Sequence, residues 1–505
     1  MPRRLLYAAF GLLSTLVGVA AGHFVAALLN PDSSPVLAVG STVIDLTPTP
    51  MKEWAIRQFG SNDKPILIGS VMAGVLVLAA IAGLLARRRF RNGAAMLVVL
   101  VAIAGAAALA RPAAEPVDVV PGGVAAVVAV AALWWLDRSV TRRTAVAAEH
   151  VGQPSRRGVL IALGALGASA ALLGGVGRWI GGVRSRISDI TFPRPASAAE
   201  PLPTGLEEQF DGITPFRIAN DDFYRVDTRL DTPIVDIDDW TLTIDGDVDD
   251  EVTFTFDELL AMPLIELDIT LTCVSNSVGG EYVGGARWIG VRLTDVLELA
   301  GVGSRADQIL STDFDGMTIS TPLDLATDGR DAMIALGMNG EALPRAHGYP
   351  ARMVIPGLYG FISATKWVTR LTLTTYADQQ AYWTERDWAT DAPIKPSARI
   401  DTPKSLAEIA PGETVIGGVA WAQNDGGVAR VQVKVDGGPW EEATLGPDAG
   451  GSYWRQWYFR WDASRGQHSV AARVVDADGG TQTDVRAEPF PEGASGIHTL
   501  IVRVE

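Results

Sequence analysis

Five apolar stretches crowd the first 180 residues of the chain, at 5–29, 65–86, 94–110, 117–136 and 159–180. Each approaches the ~20 residues that an α-helix needs to cross a bilayer, so the pattern predicts five membrane spans. The third is short enough to call for tilt or for shielding by its neighbours. Beyond residue 190 the pattern changes to alternation. "WTLTIDGDV" (240–248) alternates apolar and polar positions and ends in Asp-Gly turn chemistry, which predicts a strand. "TFDELLAMP" (255–263) reads as a short helix stopped by proline. "IELDITLTCV" (265–274) alternates again, with Cys273 near its end. "LTDVLELAGV" (293–302) reads as a helix with a threonine cap and a glycine stop, and "RADQILSTDFDGMTISTPL" (305–323) as strands around a second Asp-Gly turn. There is no repeated βαβ pattern and no glycine loop following a strand, so this middle region is α+β and not a dinucleotide fold. From residue 399 short alternating strands recur at regular spacing, among them "TVIGGVAWA", "YWRQWYFRWDA" and "HTLIVRVE". That is the pattern of an antiparallel sandwich of immunoglobulin type, here without the paired cysteines of antibody domains. Trp421, Trp440, Trp454, Trp457 and Trp461 are expected in its core or at an interface.

Charge divides the chain in the same place. Residues 1–190 hold 18 Lys and Arg against 9 Asp and Glu, about +9, and the whole chain is −16, so the rest carries about −25. An acidic soluble part repels phosphates, which argues against a nucleic-acid partner. The basic loops order the spans. Arg3 and Arg4, "ARRRFRNG" (86–93) and the arginines of 137–158 fall on one side if the segments alternate, and that side is cytoplasmic. Everything after residue 180 then faces outward, although Arg178, Arg184 and Arg186 run against the rule. "SRRGVLIALGALG" (155–167) resembles a twin-arginine export signal. "PASAAE" (195–200) offers small residues, Ala196 to Ala199, that a leader protease could cut, although a plain linker is the simpler reading. His23 is the lone histidine in a span, too few for a transmembrane haem. The organisation expected is a membrane domain at 1–190, a Pro/Ala-rich linker at 191–219, an α+β domain at 220–394 and a sandwich at 395–505.

Cys273 is the only cysteine in 505 residues. It cannot form an internal disulfide. It is an inert core residue, an intermolecular link or a working sulfur. The loop after it, "CVSNSVGGEYVGG", is rich in Ser, Asn and Gly and lets backbone approach a bound group closely. Taken alone, these residues leave the inert reading ahead.

The flanking motifs change that. "LTCVSNSVGGEYVGGARWIGVRLTDVLELAGV" (271–302) resembles the molybdenum-cofactor domain of the sulfite oxidase superfamily, with its thiolate cysteine, Asn/Gly loop, Trp–Gly strand and helix ending in Ala-Gly. "ALGMNGEALPRAHGYPARMVIPGLYGFISATKWVTRLTL" (335–373) resembles that family's second signature, and the sandwich resembles its C-terminal dimerisation domain. The resemblance runs from about 220 to 505. Together with the apolar stretches before it, the fold expected is multi-domain: a five-span α-helical membrane domain, an α+β sulfite-oxidase-like molybdenum-cofactor domain and an all-β immunoglobulin-like sandwich. The cofactor implied is molybdenum–molybdopterin. Cys273 is implied as the catalytic metal ligand, and His347 and Arg352 as holding the pterin and its phosphate. Ser363, Ala364, Thr365 and Lys366 match the phosphate-binding segment, and Thr312 a further contact. Asp222, Arg225 and Val226 match the first cofactor-binding segment. Trp288 and Trp367 are expected to pack rather than to touch substrate.

Two departures bear on substrate. Sulfite oxidases carry an arginine shortly after the metal cysteine, where this chain has "VSNSVGG", and a tyrosine before the MNG motif, where it has Leu336 and Gly337. The reading is therefore a membrane-anchored, outward-facing molybdopterin oxidoreductase that transfers an oxygen atom and for which sulfite is a poor donor. The alternatives are a methionine-sulfoxide or other S-oxide reductase of the same superfamily, and a non-catalytic tethered binding protein. Asp222, Asp227 and Tyr282 are acid–base candidates by location. The partners expected are a small-molecule substrate, a quinone or cytochrome to exchange electrons, membrane lipid, and a second copy bound through the sandwich.

Overall fold

A computed structural model of the chain describes residues 3–48, 51, 54–55, 58–59, 63–111, 114–147, 164–176, 187 and 190–505. It divides into two compact units, Met1–Arg186 with Thr228–Ile234, and Ile187–Asp227 with Val235–Glu505.

In the first unit four helices are long and apolar enough to cross a membrane: Arg3–Leu28, Lys64–Arg88, Phe90–Leu109 and Pro116–Val140. Of the fifth expected span only Gly164–Val176 is described, as a shorter apolar helix. The twin-arginine segment at 155–158 lies outside the described residues. Between the first two apolar stretches lies a further helix, Pro35–Leu46, opened by a proline whose missing N–H costs nothing at that position. Glycines set the packing. Gly11 lies so close to Ala79 and Gly83, and Gly18 so close to Ala125 and Ala129, that neither has room for a Cβ, the small-residue contact that lets membrane helices approach. His23 pairs with Ser34 at 3.2 Å. Arg111 donates to Asp118 at 2.7 Å, and Asn30 to the same carboxylate at 3.1 Å.

The second unit is built from four sheets. One has the order β2-β1-β10-β5-β6, formed by β1 (Thr241–Gly246), β2 (Val252–Thr255), β5 (Gln308–Asp313), β6 (Thr318–Pro322) and β10 (Val368–Thr374). A second has the order β3-β4-β7-β8, from β3 (Leu264–Thr272), β4 (Val283–Arg292), β7 (Met333–Met338) and β8 (Glu341–Ala342), with β9 (Arg352–Val354) paired to β7. Leu242, Ile244, Leu259, Val296, Ile309, Met353 and Leu371 are buried in one core, and Leu271, Trp288 and Met333 in another. The expected helix at 256–261 forms with a reciprocal cap, Thr255 to Glu258. The helix Leu293–Ala300 ends as expected at Gly301 (φ +69°), but Arg292 is its N-cap and no side chain caps it.

The sandwich packs β11-β13-β17-β16 against β12-β19-β18-β14-β15. The strands are β11 (Ser397–Thr402), β12 (Glu408–Ile409), β13 (Gly412–Trp421), β14 (Val428–Val435), β15 (Glu441–Glu442), β16 (Thr444–Leu445), β17 (Arg455–Ala463), β18 (Gly466–Asp476) and β19 (His498–Val504). Trp457 and Trp461 fill its core, whereas Trp421 and Trp454 join the core of the α+β region. Trp440 is only half-buried. It lies beneath Lys434 and Arg473, 4.5 and 4.3 Å from its ring, in an open groove of about 640 Å³ that contains no thiol.

The segment at 191–219 is not a free linker. Ser197 bridges to Ile265 in parallel register at the edge of β3, with Ala196 N donating to Leu264 O and Glu266 N to Ser197 O, both at 2.8 Å. Leu206, Ile213 and Phe216 are buried. Proline and alanine made this stretch look unstructured. Its structure comes from pairing with a distant strand edge, which local composition does not record.

Candidate functional site

The site begins where the β3–β4 ladder ends. The last pair is Thr272 with Val283, and Cys273 N then donates to Tyr282 O at 3.0 Å. The intervening loop closes on itself. Asn276 N donates to Cys273 O and Gly280 N to Ser277 O, while the buried Asn276 side chain accepts from Tyr282 N at 2.9 Å. Cys273 is 8% exposed. Burial pushes its thiol up, while the Ser275 N–H and hydroxyl and the charge of Lys366 pull the other way. The bare side chain is therefore a neutral thiol that a metal would have to deprotonate.

The opposite side is cationic. The turn Arg345–His347 ends at Gly348, whose φ of +114° and tight fit against Arg352 and Lys366 require glycine. His347 Nε2 faces the Asn220 carbonyl at 3.0 Å and must donate. Burial, reinforced by Arg352, lowers its pKa to about 4. The neutral ring therefore presents Nδ1 as an acceptor. Arg352 is buried and donates to the carbonyls of His347, Met353 and Ala364. Among the described residues no carboxylate pairs with it, and burial lowers its pKa to about 10. Lys366 donates to Asp227 at 2.8 Å and to Ala346 O at 3.2 Å. Burial outweighs Asp227 and lowers its pKa to about 8. Arg225 shares the same Asp227 oxygen at 2.8 Å. Trp367 sits at φ +54°, unusual for an aromatic residue, held by its indole N–H on Arg345 O at 2.8 Å.

Of the residues singled out from sequence, Cys273, Arg225, His347, Arg352 and Lys366 come together. Thr365 is buried, its hydroxyl 2.6 Å from that of Ser311. Thr312, one residue on, faces the other side of β5, so Ser311 makes the link to this segment. The Ser363 hydroxyl is turned inward onto Leu358 O and Tyr359 O, both at 3.0 Å. Ala364 contributes its carbonyl to Arg352. Asp222 and Val226 are exposed. Trp288 is fully buried and Trp367 nearly so, as expected of packing residues. Asp227 is engaged by two cations and is no spare base.

Tyr224 was missed. Its hydroxyl is pushed up by burial and by the nearness of Cys273, so it stays protonated as a donor. The signal was there, since it stands between the exposed Asp222 and Arg225.

A buried guanidinium, a second buried cation and one carboxylate leave positive charge uncompensated, at a cost that an anion would relieve. Beside a single buried thiol, this donor set fits a phosphorylated, metal-bearing cofactor.

Residues 229–383 match the family described as the oxidoreductase molybdopterin binding domain, and 396–472 the bacterial Ig domain. Mitochondrial sulfite oxidase of Rattus norvegicus is 30% identical over 346 residues, 59% of this chain and 62% of that protein. Inducible nitrate reductase [NADH] 2 of Glycine max is 27% identical over 362 residues, 60% of this chain and 39% of that protein. The chain thus spans less than two thirds of the length of these relatives. The solved structure of the sulfane dehydrogenase SoxCD from Paracoccus pantotrophus covers 58% of this chain and 84% of its own, with a TM-score of 0.51 and 24% identity, and shares the fold.

Proposed function

We propose that this chain, a member of the sulfite oxidase superfamily of molybdopterin oxidoreductases, acts as a membrane-anchored enzyme whose soluble domains lie on the extracytoplasmic side. When bound, the molybdenum–pterin group supplies two-electron oxygen-atom transfer. The chain's own residues hold it. Cys273 is the metal ligand, with Ser275 beside its sulfur. Arg352 and Lys366 bind the phosphate, Arg225 adds charge at the rim, and His347 accepts through Nδ1. Tyr224 donates near the sulfur. Asp222, Val226, Thr312, Ser363, Ala364 and Thr365 shape the cradle with backbone and packing. The four apolar helices anchor the chain with the basic loops inside, and the apolar stretch at 159–180 crosses as a fifth span that carries the soluble domains out. Electrons pass to or from a quinone or cytochrome.

The observation that carries this reading is Arg352, a buried guanidinium with no carboxylate partner among the described residues, beside the one thiol of the chain. The loop after Cys273, which carries Glu281 and no cation, supports a substrate other than sulfite. Metal analysis of purified chain from a molybdate-fed host tests it. About one molybdenum per chain, lost in Cys273→Ser, is the expected result; a folded, metal-free parent refutes it. Titration of the loaded protein with sulfite, methionine sulfoxide and other S- and N-oxides then ranks substrates. Turnover of sulfite on a par with the best of them would overturn the substrate reading.

A further inference from the structure

We infer that the immunoglobulin-like sandwich is a working part of the metal site, because it fixes the loop that presents Cys273. The inference rests on the reading of Cys273 as the metal ligand. The sandwich grips that loop at both ends. Three residues before the thiol, Thr270 is held at three atoms. Its N–H donates to Ser452 O at 3.0 Å, its carbonyl accepts from Gln423 Nε2 at 2.8 Å, and its hydroxyl accepts from Trp454 N at 2.9 Å. Beyond the thiol, Arg399 Nη1 donates to Gly280 O at 3.1 Å. Arg399 is itself pinned, through Nε to Asp401 at 2.6 Å and Nη2 to Thr214 at 2.7 Å. Gly279, at φ +80°, lies against the His498 ring with no room for a Cβ. His498 in turn accepts from Ile400 N at 3.0 Å through Nδ1, and burial lowers its pKa to about 4.

A covalent domain attachment needs none of this placement. These contacts fall on the few residues that set where the sulfur sits, since the loop is otherwise held by its own turns and by Val274, which is buried in the α+β core. A metal–thiolate bond depends on the direction from which the sulfur approaches, and partners behind a ligand typically change affinity or activity ~10–100-fold. Arg399 and His498 are thus positioning residues, acting through Gly280 and Gly279 upon Cys273.

The single cysteine makes the test clean. The full chain, produced without molybdate, is treated with iodoacetamide, and the rate of labelling reads the accessibility of Cys273 alone. The parent should label slowly. Arg399→Ala and Gly279→Ala should label at least about 10-fold faster, with Arg399→Lys between. Arg473→Ala, in the groove beneath which Trp440 lies, should match the parent. In molybdate-fed protein the same variants should alter the Mo(V) electron paramagnetic resonance spectrum. Circular dichroism establishes that each variant is folded, and should Arg399→Ala unfold, Arg399→Lys and Gly279→Ala carry the test. Labelling within two-fold of the parent in the folded variants overturns the inference. A parent that takes up no molybdenum but whose variants still label faster would sink the cofactor reading and leave the positioning intact.

Discussion

The two faces of the site are built on opposite plans. The segment from His347 to Lys366 is cationic, buried and braced mostly from within the α+β region. The loop from Cys273 to Tyr282 bears no cation and is braced from the sandwich. The first plan suits retention, because desolvated cations hold an anion whatever reaction follows. The second suits selectivity, because a loop without a cation leaves substrate preference to shape. Under this division, cofactor retention and substrate preference can change independently.

Breaking the shared element should give the largest effect. Cys273→Ser is expected to lower oxygen-transfer turnover by more than ~100-fold, beyond what loss of a ligand's supporting partner costs, measured alongside molybdenum content. On the cationic face, Arg352→Ala strands three carbonyls, each costing about 1–3 kcal/mol when left buried. Lower stability in chemical denaturation and lower pterin content in the purified chain are both expected. A pH series separates Lys366 from Arg352. In the empty chain the Lys366 pKa of about 8 lies below that of an ordinary lysine, so its charge is present below pH 8 and lost above it. Bound phosphate shifts that loss upward. Pterin retention on dialysis should hold level at pH 6–7.5 and fall as pH rises beyond about 8, and Lys366→Gln should flatten the profile. On the cation-free face, Ser277 is exposed and can accept a longer side chain. Ser277→Arg should lower KM for sulfite by about 10-fold, equal to ~1.4 kcal/mol, with the gain fading at high salt and pterin content unchanged. An unchanged KM would mean that the loop does not meet the substrate.

The legibility of the molecule followed the range of the interaction. Alternation along 265–274 and 305–323 marked β3, β5 and β6 because a half-buried strand imprints its own residues. His347 and Arg352 were marked only by the resemblance of the HG-x-P-x-R run to a family signature, and the left-handed Gly348 between them gives the physical reason for its glycine. Hidden from sequence were the contacts made across long separations. Arg399 reaches Gly280 over 119 residues and Trp454 reaches Thr270 over 184, and neither leaves a periodic trace. The segment at 191–219 was misjudged for the same reason, and Ser311 went unnoticed because its hydroxyl meets Thr365 from a neighbouring strand.

The pairing of Ser197 with the edge of β3 has a consequence for how the chain matures. A protease needs its target extended and free, and the stretch from Ala196 to Ala199 is already hydrogen-bonded into a sheet. Any cut there would have to come before the sheet assembles, and folding would then close the window. The same pairing covers β3 along an edge that would otherwise invite another strand, so a chain trimmed past Ser197 would surrender its protection against aggregation.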